Sequence, residues 1–139
     1  MENGKIKKAL FQFKTIQIEE SSIKRAPNKS NGKIEIKMEP NGIIFKDEKI
    51  FKLTILVTLT EEEVFAATVK AVGIFEFKDV VNKEDLRINF YRNAPAILFP
   101  YVRSYIAALT ALSGMEAINI PPVNIVPLGD TLEKQTKEE

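Results

Sequence analysis

The chain has no histidine and no cysteine, and it has almost no excess of either charge. Without cysteine there is no disulfide, no thiol nucleophile and no thiolate metal site. Without histidine the commonest proton shuttle and transition-metal ligand are also missing. Catalysis would have to rest on Asp, Glu, Lys, Ser, Thr and Tyr. Ser21 and Ser22 stand without a base to activate them, and no glycine-rich phosphate loop is present. An enzyme is therefore the last reading, and no cofactor or metal site is assigned. The 20 basic and 19 acidic side chains leave a formal charge of +1, which gives no electrostatic reason to expect nucleic acid or an anionic membrane as partner. No long apolar run resembling a spanning helix stands out, and the N-terminus lacks the pattern of a secretory signal. The expected location is cytoplasmic.

What is present is an ordinary globular composition. The 139 residues are 45% hydrophobic and 28% charged, enough for one domain, spanning residues 1–139, with a core of its own. Residues 10–18 place Phe11, Phe13, Ile16 and Ile18 on buried faces if a bulge near Thr15 restores the alternation, and they predict a strand. The polar stretch 19–32 reads as a loop. From Lys33 to Glu39, Ile34, Ile36 and Met38 alternate with charges, the period of a half-exposed strand. Pro40-Asn41-Gly42 reads as the turn that stops it.

Residues 49–60 predict a third strand with Phe51, Leu53, Ile55, Val57 and Leu59 on one face. Glu61-Glu62-Glu63 reads as a solvated turn. Residues 64–77 predict a fourth strand, in which Gly73 marks a bulge or a close backbone approach. Residues 83–93 could begin a helix, with Pro95 in an early turn and Pro100 placed to kink it. Val102, Tyr105, Ile106, Leu109 and Leu112 recur at helical spacing, and Gly114 closes the helix. Residues 115–129 read as an apolar loop, and 130–139 as a polar tail, either a short helix or frayed. Strands first and helices last predict an α+β fold with an antiparallel sheet.

Two segments are more specific than any periodicity. Asn93-Ala94-Pro95-Ala96-Ile97-Leu98-Phe99-Pro100-Tyr101-Val102-Arg103 and Ile120-Pro121-Pro122-Val123-Asn124-Ile125 strongly resemble the protein-export chaperone SecB and its relatives. Ala26-Pro27-Asn28 and Gly73-Ile74-Phe75 agree in order and spacing. The resemblance implies a four-stranded antiparallel sheet packed by C-terminal helices, assembled as a homotetramer, a dimer of dimers. It implies no catalysis and no cofactor, but a chaperone that binds unfolded preproteins in apolar grooves and passes them to the export motor SecA.

On that resemblance the client groove would comprise Ile34, Ile36 and Met38 on one side and Ile118, Ile120, Val123 and Ile125 on the other. Ordinary core packing, or a loop folded over its own helix, would call for the same apolar residues. Ile125 stands where the family usually has Phe. Ile97, Leu98, Phe99 and Tyr101 read as helix-start packing and an oligomer seam, and Arg103 as an ion-pair or capping residue. The acidic positions by which export-dedicated members dock the motor align with Ser21, Arg25, Ala66 and Thr68, so those acids are absent. That departure leaves open a dedicated partner such as an antitoxin. A small-ligand or lipid-binding module using the same groove is the alternative from another class.

Overall fold

The computed structural model describes residues 11–78, 87–121 and 125–139. Strands β1 (Phe11–Arg25), β2 (Glu35–Phe45), β3 (Ile50–Glu61) and β4 (Phe65–Phe77) are followed by a π-helical turn (Arg87–Asn93). Helix α1 (Ala94–Leu112), helix α2 (Ile125–Lys134) and a short strand β5 (Thr136–Glu138) complete the chain. The sheet has five strands in the order β1-β4-β3-β2-β5. The first four pair antiparallel, and β5 lies parallel to β2 along Gly42–Ile44. The fold is therefore α+β as expected, but the sheet is mixed and five-stranded rather than four-stranded and antiparallel.

The alternation in β3 sets the core. Phe51, Leu53, Ile55, Val57 and Leu59 are all 0% exposed, because they point to the face that the helices cover. Their partners on β4 include Ala67, Val69, Ala71 and Phe75, which are equally buried. Phe90 in the π-helical turn stacks on Phe51 at 4.6 Å between ring centroids and meets Phe11 at 4.9 Å and Phe77 at 5.4 Å. Offset aromatic packing of this kind adds specific geometry to the area buried.

Three strand boundaries differ from expectation, each for a reason of pairing. β1 does not end at Ile18 but continues to Arg25, since β4 is long enough to pair with it as far as Phe65. It carries the expected irregularity between Phe13 and Thr15 and a second between Ile18 and Glu20. β2 runs straight through Pro40-Asn41-Gly42, which is no turn. Pro40 pairs with Ile55 of β3 on one side. On the other side β5 pairs only from Gly42 onward, so the proline occupies an open edge, where its missing N–H costs no second ladder. Gly42 is needed for proximity: a β-carbon there would lie 2.6 Å from Thr136 Oγ1 and 3.1 Å from Leu132 Cδ1.

The tail is the third difference. The helix expected as one option for the tail is present but begins earlier, at Ile125 within the expected apolar loop, and runs to Lys134 as α2, followed by β5. The helical start expected from Lys83 lies in part outside the described residues; from Arg87 the chain makes one π-helical turn before α1. Pro95 falls in the first turn of α1, and the helix runs on through Pro100. Phe90–Leu112 is, by length and composition, long and apolar enough to cross a membrane, which corrects the reading that no such stretch exists. Here one face of it, with Leu98, Val102 and Ile106 0% exposed, packs into the core, while 33% of the span is buried.

Candidate functional site

The residues on the inner face of β2 form one continuous row with two different fates. Ile44, Gly42 and Pro40 are buried, whereas Met38, Ile36 and the preceding Ile34 are half-buried. Register explains the shared face: Ile44, Gly42, Pro40, Met38 and Ile36 lie opposite Phe51, Leu53, Ile55, Val57 and Leu59. Cover explains the difference. α2 packs over the Gly42 end, where Leu132 is fully buried, and the row emerges into solvent beyond it. Core and groove are thus two stretches of one strand face.

The second wall begins at the end of α1. Gly114, at φ +85°, donates its N–H to Ala111 O at 3.2 Å, and Met115 donates to Thr110 O at 3.1 Å. This is the Schellman pairing, which ends a helix and reverses the chain. Thr110, 0% exposed, donates its hydroxyl to Ile106 O at 2.8 Å and accepts the backbone N–H of Ile118 at 2.9 Å. The loop is thereby folded back along its own helix. Arg25 Nη1 donates to Ser113 O at 3.0 Å, joining the end of β1 to the end of α1, where a cation suits the helix dipole.

Between this loop and the start of β2 lies a hollow of about 470 Å³, lined among others by Ile34, Val64, Phe65, Met115 and Ile118. Ile34 and Ile118, one from each expected wall, both line it. Ile120 does not line it: at 1% exposed, it belongs to the core. Ile36 and Met38 continue the strand face beyond the hollow. Val123 lies outside the described residues, and Ile125 opens α2.

Comparison with known proteins bears directly on this arrangement. The family model described as preprotein translocase subunit SecB matches residues 11–135. The chain belongs to the SecB family. The protein-export protein SecB of Buchnera aphidicola subsp. Schizaphis graminum is 29% identical over 138 residues, covering 89% of this chain and 86% of the relative. That of Buchnera aphidicola subsp. Acyrthosiphon pisum is 32% identical over 130 residues, covering 86% and 90%. Among solved structures, a SecB-like chaperone of Mycobacterium tuberculosis, in complex with a peptide from the HigA1 antitoxin, shares the fold. It superposes with a TM-score of 0.70 at 16% identity, covering 82% of this chain and 88% of that one.

Within this SecB-family fold, the four positions aligned with motor-docking acids do not share a surface. Ser21 and Arg25 pair with Val69 and Phe65 on the helix-covered face. Ser21 Oγ accepts the Tyr105 hydroxyl at 2.8 Å, and Arg25 holds Ser113. Ala66 and Thr68 lie on the open face. That face has both signs of charge, including the Lys70–Glu19 pair at 3.6 Å and Lys14–Glu76 at 3.8 Å. Arg103 lies 5.9 Å from the Phe99 ring centroid, a cation–π contact. Leu98 and Phe99 are core, whereas Tyr101 is 47% and Leu112 88% exposed.

Glu61 is not a solvated turn residue. It is only 3% exposed, and its carboxylate accepts the Ser30 hydroxyl at 2.7 Å and the Asn31 N–H at 2.6 Å. The Ser30 hydrogen bond, helped by the backbone N–H groups of Asn31 and Gly32 and opposed by desolvation, holds its pKa below the ordinary carboxylate value. A signal for this was present in the chain: Glu61 continues the inward phase of Phe51 to Leu59 by two residues. Thr110 gave no comparable signal, because a threonine within an apolar helix reads as tolerated polarity.

Proposed function

We propose that this SecB-family chaperone holds unfolded polypeptides on the apolar surface that runs from the hollow at Ile34 and Ile118 along Ile36 and Met38. The observation that carries this reading is the half-buried row on β2. It is continuous with the core, yet α2 leaves it uncovered. An extended client can place alternate side chains against such a row and add main-chain hydrogen bonds to the neighbouring edge. Met38 supplies an adaptable contact suited to varied clients. Val123 and Ile125 are proposed for the same surface on the family resemblance.

The assembly we propose is a cytoplasmic homotetramer of single-domain chains. The outward side of α1 exposes Ala96, Pro100, Tyr101, Ser104, Ala108 and Leu112, with half-buried Arg103 at its margin, and a largely apolar helix face of this length is suited to burial against another copy. Preproteins are the first clients to test. A dedicated partner such as an antitoxin is the second reading, favoured by the mixed charge of the open sheet face, which would not steer a basic motor tail.

The test is suppression of aggregation of a denatured model protein by wild type and by Ile34→Asp, Ile36→Asp and Met38→Asp. Suppression by wild type and loss in folded variants supports the groove. Folded wild type that protects none of several clients overturns general holding and favours a dedicated partner or a small ligand.

A further inference from the structure

We infer that Thr110 is a positioning residue for client binding: its hydroxyl, wholly inside the protein, fixes the backbone of the groove's loop wall. This rests on the groove reading above and adds to it the device that holds one wall in place.

The geometry is that of a relay. Thr110 sits in the last turns of α1 and is 0% exposed. Its Oγ1 donates to Ile106 O at 2.8 Å, with Ala107 O at 3.2 Å as a second acceptor. The oxygen's remaining acceptor capacity takes the Ile118 N–H at 2.9 Å. One hydroxyl therefore serves a helix carbonyl and a loop amide together. Ile118 lines the hollow together with Ile34, so the bond holds the backbone of a residue in the wall a client would use.

Thr110 touches no client. Its effect is on the freedom of the wall: a loop already held loses less conformational entropy when a ligand packs on it. Without the hydroxyl the Ile118 N–H is left without its partner and must seek solvent, which moves the wall away from the helix. Arg25 acts at the loop's other end through Ser113, where its removal loosens the turn without opening the core.

The experiment measures binding of reduced, carboxymethylated α-lactalbumin, together with hydrogen exchange at the Ile118 amide, in wild type, Thr110→Val and Thr110→Ser. Valine keeps the shape and removes the hydroxyl; serine keeps the hydroxyl. Thr110→Val is expected to lose Ile118 protection and to bind roughly three- to tenfold more weakly, while Thr110→Ser retains both. A folded Thr110→Val that frees the Ile118 amide yet binds like wild type overturns the inference and leaves the groove standing. So does a Thr110→Ser that falls as far as Thr110→Val, since packing alone would then explain the loss. Wild type that does not bind overturns the groove reading and this inference together. Should Thr110→Val fail to fold, Thr110→Ala against Thr110→Ser decides: loss of Ile118 protection and of binding in the alanine variant, with both kept in the serine variant, supports the held wall, and equal binding by the two overturns it.

Discussion

Gly129 of α2 presses its α-carbon against the carbonyl oxygen of Tyr91, so closely that a β-carbon would overlap it. The obstacle is main chain of the π-helical turn, which cannot rotate aside. This contact seats α2 at the height where Leu128 and Leu132 become buried, and that seating decides how much of β2 is covered.

Gly129→Ala is accordingly expected to destabilise the fold by about 1–3 kcal/mol, as overpacking does. Helix propensity alone predicts the opposite sign, a gain of roughly 1 kcal/mol. Thermal unfolding of the two proteins separates these outcomes. A variant as stable as wild type would mean that α2 is not seated through this contact.

Ile120 and Ile34 both looked like groove residues, yet their burial divides them. Ile120 is 1% exposed and packed in the core, so Ile120→Ala should cost about 2–5 kcal/mol in stability. Ile34→Ala, at a half-buried position, should cost roughly 1 kcal/mol or less and act on client affinity instead. Denaturant titration paired with a binding assay checks the contrast. Equal losses of stability would place Ile34 in the core.

Acid should weaken the fold through Glu61. Its pKa in the fold lies below the ordinary value, chiefly through the Ser30 hydroxyl. A depressed folded pKa means that the carboxylate's contribution is present above the unfolded value and is lost as pH falls through the folded one. The contribution is therefore complete at neutral pH and declines in the range below the ordinary carboxylate value of 4.5. Glu61→Gln should be less stable at neutral pH and show a shallower acid transition. Identical transitions in the two proteins would show that the Ser30–Glu61 contact contributes nothing.

Much of this was legible in the chain where one period dominates. Phe51 to Leu59 announced a buried face by strict alternation, and Gly73 announced a close approach, found as Leu98 Cδ1 at 3.1 Å from where its β-carbon would be. Ile34 to Met38 announced an apolar face, but not which stretch of it is covered, because that depends on α2, far along the chain. Leu112 shows the same limit. Its spacing grouped it with Val102 and Ile106, yet it lies at 88% exposure on the outward side of α1. Local pattern fixes the direction of a side chain; cover is decided by elements remote in sequence.

β5 offers the sharpest test of that division. A β-carbon on Gly42 would lie 2.6 Å from Thr136 Oγ1 and 2.9 Å from Phe51 Cε1. Neither neighbour has room to yield, for Thr136 Oγ1 donates to Leu132 O at 2.6 Å and Phe51 is fully buried against Phe90. Gly42→Ala should therefore cost about 1–3 kcal/mol and loosen β5, whose ladder is extended by Glu139 N–H on Ile44 O at 2.8 Å. The β2–β3 ladder from Glu35 to Asn41 is unaffected by such a change, and with it the exposed half of the row. Hydrogen exchange should show faster exchange at the Glu139 amide, while client binding stays at the wild-type level. If binding falls as well, the covered and open stretches of β2 act as one unit, and the groove extends beneath α2.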